Sequence, residues 1–191
     1  MFNSLISRFR CQKGQSLIEL SFIVPLMAFL AYGAIEVGSV ISTHLTITHT
    51  TREGANLISR GTPANQALAA VIAASSNTFN SSKQANWKII YSKVIQDTSV
   101  PCPNPPTTPC TYRIDSQITQ GLLVKSSKLS SGGLVNDIVT IPGINGVIGG
   151  QTFQVIEVYF NYAPYLVTYV GRQINTDFYD RTIFTDVSGT V

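Results

Sequence analysis

Charge is what this sequence has least of: Asp, Glu, Lys and Arg make up only 12% of its 191 residues, about half the share usual in soluble domains. With 44% hydrophobic residues, that shortage excludes disorder over most of the chain and requires either a large core or a membrane segment. Thirteen basic residues against ten acidic ones leave a net charge of +3. Without a dense Lys/Arg stripe to neutralise phosphates, nucleic acid is excluded as a partner. Histidine is nearly as scarce. His44 and His49, five residues apart, lie about 140° apart around a helix and cannot share a ligand face, so both are expected to be solvated or interfacial. HExxH, GxGxxG and the GxxxxGK phosphate loop are all missing, and GQSLI at 14–18 lacks the second glycine of a nucleophile elbow. Asp177, Asp180 and Asp186 do not have the spacing of a calcium loop and read as turn residues. The glycine-rich stretch 143–150 precedes a strand instead of following one, the wrong context for phosphate binding. No catalytic constellation, metal site or cofactor is expected, and the chain reads as a non-enzyme.

What the sequence does have is one long apolar run. Residues 20–41, LSFIVPLMAFLAYGAIEVGSVI, contain a single charge, Glu36. Their helical length is about 33 Å, against roughly 30 Å for a bilayer core. Arg8, Arg10 and Lys13 precede the run, and a basic flank of this kind stays in the cytoplasm while the remainder is exported. An ordinary signal peptide is the rival reading, with its apolar centre at 22–30 and a cut near Ala31, Gly33 or Ala34. Against it stand Glu19, just inside the apolar stretch, and the continuation of apolar character to Ile41. Glu36 lies about 25 Å along the helix from Glu19, where it either snorkels to the far interface or meets a partner helix. Ala34 and Gly38 form a small-xxx-small pair that would let another helix approach closely. Pro25 removes one backbone hydrogen bond and is expected to bend or loosen the helix.

The basic flank ends in Lys13-Gly14-Gln15-Ser16-Leu17-Ile18-Glu19, which resembles the prepilin peptidase site of type IV pilin-like proteins. Together with TREGANLISRG at 51–61, the segment GQSLIELSFIVPLMAFLAYGAIEVG resembles the amino terminus of the TadE-like family, minor pseudopilins of the tight-adherence (Tad) pilus. VIEVYFNYAPYLVTYVG at 155–171, followed by RTIFTDV, is similar to that family's closing strands, while residues 62–150 carry no family signal. The resemblance implies cleavage between Gly14 and Gln15, since a glycine lets the extended backbone enter the peptidase. It also implies that Glu19 pairs with the new ammonium of a neighbouring subunit and so sets the axial register. The implied partners are a prepilin peptidase, other pilins or pseudopilins, the assembly platform in the bacterial inner membrane, and the lipid bilayer. The implied topology is single-pass, with a cytoplasmic amino terminus and a periplasmic domain. The competing function is a membrane-anchored or secreted binding module with an ordinary signal or anchor.

Three regions follow: a leader at 1–14, a transmembrane and stalk helix at 15–61, and an exported α+β domain at 62–191. Around 41–48 the spacing is ambiguous between helix and strand. Thr62-Pro63 is expected to start a second helix, with Thr62 as cap and Pro63 in its first turn. Strands are predicted at 87–95, 111–118, 153–162 and 181–187, the last two paired antiparallel, with loops at SSGGLVND and IPGINGVIGG. Of the three cysteines, Cys11 falls in the leader. Cys102 and Cys110 bracket a proline-rich run, and in an oxidising compartment a disulfide between them is expected, with free thiols or a metal site as the alternatives. The whole is an α+β protein: a pilin-like transmembrane helix, then a small exported domain with an antiparallel sheet and a disulfide loop.

Overall fold

A computed structural model describes residues 3–99, 110–139, 151–164 and 176–185, with side chains from residue 16 onward. The apolar run and its flanks form one helix, α1 (Asn3–Ser59), which passes through Pro25 and through the ambiguous stretch 41–48 without interruption. It ends in a glycine cap. Gly61 has φ +87, the Gly61 amide donates to Ile58 O at 2.9 Å, and the Thr62 amide reaches back to Leu57 O at 3.1 Å, the paired bonds that close a helix with a left-handed residue. The second helix, α2 (Ala64–Ala74), starts one residue later than expected from Thr62-Pro63: Pro63 itself is the capping residue, and no side chain caps the helix. Proline fits there because its missing amide leaves nothing unsatisfied at a helix start.

The chain divides into two compact units, one containing residues up to Ile41 and the other beginning at Ser42. From Ser16 onward α1 is long and apolar enough to span a membrane, with none of its most apolar window buried.

In the second unit, the strands are rich in β-branched and aromatic residues, and the central ones are buried on both faces. They are β1 (Trp87–Gln96), β2 (Tyr112–Gln120), β3 (Ile138–Val139), β4 (Phe153–Tyr162) and β5 (Thr176–Thr185). The order in the sheet is β3-β2-β1-β4-β5, every neighbouring pair antiparallel. A register shift between Lys93 and Val94 marks a bulge on the β1–β2 ladder. One face of the sheet carries Trp87, Ile89, Tyr91, Ile156 and Val158, which pack with Ile47, Ala55 and Ile58 of α1 and with Ala67 and Leu68 of α2. Gly54 lets α1 approach: a Cβ there would lie 2.9 Å from Ile156 Cδ1. The opposite face carries Val94, Tyr112, Ile114, Phe153 and Val155, joined by Leu129 from the segment that follows β2. Gly121 makes that segment turn back over the sheet. Its φ is +88, and a Cβ would sit 2.3 Å from Trp87 O, so only glycine fits.

The α+β architecture expected from the sequence is therefore present, with the long helix first and the antiparallel sheet after it. Strand β4 has the expected bounds, and its antiparallel partner is β5. Two features differ. β5 begins at Thr176 instead of 181, so Asp177 and Asp180 are strand residues and not turn residues, because each finds a polar partner that lets it sit in the sheet. The stretch SSGGLVND leads into the two-residue strand β3, too short to register as a period. Cys102, Asp186 and the loop IPGINGVIGG lie outside the described residues.

Candidate functional site

Two places concentrate chemistry, one on α1 and one on the sheet. On α1, the backbone is helical at Gly14 and Gln15. Glu19 is exposed four residues further on, within a run whose Leu17, Ile18, Leu20 and Phe22 are also exposed. Ala34 and Gly38 are exposed on one stripe, and nothing lies within 4 Å of where a Cβ of Gly38 would be. Glu36 is half-buried and sits about 160° around the helix from both, so it does not share their stripe. A helix that is apolar on all sides and unburied is built for lipid, and its small and acidic residues are the ones able to mark a partner's position.

On the sheet, Glu157 is fully buried at the centre of β4. A carboxylate taken out of water must have its lone pairs occupied, and three donors and a further phenol surround this one. The Ser127 hydroxyl donates to Oε2; the Lys128 amide donates to Oε1 at 3.0 Å; Tyr179 OH donates to Oε1 at 2.8 Å; Tyr159 OH lies 3.2 Å from Oε1 and also donates to Ser126 O at 2.9 Å. Tyr159 and Tyr179 face each other, with ring centroids 4.9 Å apart, and the Lys128 ammonium sits 4.1 Å above the Tyr179 ring. Burial first, and then the Glu157 charge, push the ionisation of both tyrosines above the usual phenol range. The phenols therefore stay protonated as donors, and the carboxylate fastens residues 126–129 to the sheet. Every bond is internal. The arrangement is that of a structural clasp.

The same logic explains the two aspartates in β5. Asp180 accepts from the buried Thr51 hydroxyl of α1 at 2.5 Å, and Asp177 pairs with Lys125 at 2.7 Å. Near the start of the domain His44 meets Phe178 edge-on, with ring centroids 5.8 Å apart, while His49 is exposed without sharing that contact. Asp137 accepts from the Leu134 amide and the Ser130 hydroxyl, which hold its carboxyl below the ordinary range. Among the described residues no group of three or more His, Cys, Asp or Glu side chains is placed to hold a metal. Cys110 is buried beside Tyr112 and Phe153.

Of the residues singled out in the sequence, Gly14, Gln15 and Glu19 fall together on the first turns of the apolar helix, as do Ala34, Glu36 and Gly38 further along. The sequence reading missed Glu157. Its signal was present: in FQVIEVYF the alternation puts a lone carboxylate on the same face as Val155 and Tyr159, where a charge needs partners.

Among the described residues, one long apolar helix followed by an antiparallel α+β domain fits a membrane-anchored protein. Residues 14–56 match the family model for TadE-like protein, so this segment is TadE-like. No curated protein and no solved structure matches the chain.

Proposed function

We propose that the chain is a minor pseudopilin, a structural component in assembly of a tight-adherence pilus, made as a precursor and cut after Gly14 by a prepilin peptidase. The observation that carries this reading is a coincidence of position. The TadE-like match begins at residue 14, the glycine that precedes Gln15 and Glu19 and opens the apolar helix. Gly14 is also the weak point of its helical turn, since glycine costs about 1 kcal/mol relative to alanine there, and the peptidase needs the backbone unwound.

Removal of the leader takes away Arg8, Arg10 and Lys13, leaving ten basic against ten acidic residues. The net charge is then a signal for topology and processing, and the working protein is formally neutral. Glu19, exposed on the first turns of the mature helix, meets the amino terminus of an adjacent pilin or pseudopilin, and Ala34 and Gly38 give a neighbouring helix room to pack. The mature chain remains in the bacterial inner membrane with its domain in the periplasm, where a Cys102–Cys110 bridge closes the proline-rich loop; the burial of Cys110 at the edge of the core suits that role.

Amino-terminal sequencing of the mature protein is the deciding experiment. The reading requires a start at Gln15 and accumulation of uncut precursor in Gly14→Leu. A start near Ile35, or an uncut Met1, overturns it.

A further inference from the structure

Among the described residues, the large apolar side chains exposed beyond Leu45 are Leu122, Val124, Leu134, Val135 and Ile138, all of them on the segment that joins β2 to β3 or at its end. Local structure fixes them outward. From Leu122 to Leu129 the chain alternates, with Leu122, Val124, Ser126 and Lys128 exposed and Leu123, Lys125, Ser127 and Leu129 buried or half-buried, the period of two of an extended backbone. Inward bonds hold this register: the Leu123 amide donates to Trp87 O, Tyr159 OH donates to Ser126 O, and Glu157 accepts from the Ser127 hydroxyl and the Lys128 amide. Leu122 and Val124 cannot turn inward without breaking that clasp.

The segment then returns along itself. Gly133 lies against the outgoing limb, where a Cβ would meet Ser127 O at 2.6 Å and Ser126 Cβ at 3.0 Å. Asp137 ties the turn by accepting from the Ser130 hydroxyl and the Leu134 amide, and the Asn136 amide donates to Ile114 O, which brings Ile138 onto the edge of the sheet. Leu134 therefore adjoins Ser126, the outward neighbour of Val124, and the five side chains share one surface. At exposures from 44% for Val135 to 93% for Val124, they present roughly 500 Å² of apolar area, toward the upper end of the largest patch on a monomer. With the polar rim of Ser126, Ser131 and Asn136, the surface approaches the roughly 800 Å² per partner of a standard protein interface.

Charge decides what can cover it. The charged side chains of the segment are turned to their own chain: Lys125 pairs with Asp177, Lys128 sits over the Tyr179 ring, and Asp137 is bonded within its turn. Lipid phosphates or a nucleic acid would need free cations, whereas these are engaged. An apolar centre depleted of free charge has the composition of a homodimer interface, and it can face an identical copy without like-charge repulsion. We infer that the outer face of 122–138 is where two copies of this chain pair about a two-fold axis, apolar tips against apolar tips. The second unit alone carries this inference, so it stands whether or not the chain is cut after Gly14.

The photo-crosslinking residue p-benzoylphenylalanine replaces Val124, Leu134 or Asn65, one at a time, in the full-length chain reconstituted in lipid vesicles. Asn65 is the control, exposed on α2, which packs on the other face of the sheet. Ultraviolet light is expected to yield a product of twice the chain mass from positions 124 and 134 and none from 65, with the attached peptide, identified by mass spectrometry, inside 122–138. Val124→Glu combined with Leu134→Glu, both at exposed positions, should keep the circular dichroism of the parent and raise the dimer dissociation constant at least about tenfold in sedimentation equilibrium. Absence of a doubled product, an equal yield at 65, attachment to peptides outside 122–138, or adducts with lipid alone overturn the inference, as does a folded double variant that dimerises like the parent. If the double variant does not fold, the cross-link map decides alone.

Discussion

Helix α1 meets two different solvents, and the contrast between its halves explains most of the molecule. From Leu17 to Ile41 large apolar side chains are exposed on every side, so no stripe distinguishes one face. From Ile47 onward only Ile47, Thr50, Thr51, Gly54, Ala55 and Ile58 are buried, a spacing of three and four that places one face against the sheet. The backbone is the same in both halves. What changes is whether burial comes from lipid or from the protein's own strands, and the change of period near residue 42 marks the change. A helix end and a packing boundary are therefore separate events: α1 ends at Ser59, while the compact unit begins at Ser42.

If the first half serves assembly and the second half serves folding, substitutions should separate the two functions. The largest effect is expected from Glu19→Ala, which should be cut normally and fold normally yet support no pili. Counting pili by electron microscopy beside an immunoblot of the processed chain checks it, and wild-type piliation would break the pairing argument. Next is Glu157→Ala, which leaves the Tyr179 phenol, the Ser127 hydroxyl and the Lys128 amide without their acceptor. It should cost about 3–5 kcal/mol, read as a lowered denaturation midpoint of the full-length protein in detergent, with cleavage after Gly14 unaffected.

Ile47→Ala removes a buried side chain from the helix–sheet core and should cost about 2–4 kcal/mol, whereas Ile23→Ala in the exposed half should leave the same midpoint unchanged. Equal effects would erase the distinction between the halves. A smaller effect comes from pH. Tyr159 and Tyr179 ionise above the usual range when folded and near pH 10 when unfolded. The stability they contribute is therefore complete below about pH 10 and declines as pH rises beyond it. Tyr179→Phe should flatten the alkaline limb of an unfolding-midpoint series. The smallest effect is Gly54→Ala, where the gain of about 1 kcal/mol in helix propensity offsets displacement of the flexible Ile156 tip, for a net change within about 1 kcal/mol. Gly54→Leu, which cannot be accommodated so simply, should be clearly worse in the same melt.

Strands β1, β2 and β4 were legible because enrichment in β-branched and aromatic residues is a local signal. The first half of β5 was not. Asp177 and Asp180 resemble turn residues when read alone, and only Lys125 and Thr51, 52 and 129 positions away, make them suitable for a strand. β3 is two residues long and too short to have a period. The cap was misplaced by one position: the Thr62 amide belongs to the glycine closure of α1, and Pro63, which has no capping side chain, starts α2.

By itself, the sequence determined where lipid can replace water, where the basic flank stops, and which short segments are rich in β-branched and aromatic residues. Those properties follow from the hydropathy and order of neighbouring residues. Only the tertiary structure decided that the last turns of α1 belong to the domain and that Glu157 is the clasp of the sheet. A buried charge or a surface patch is defined by groups distant in sequence, and folding is what brings them within hydrogen-bonding or van der Waals range.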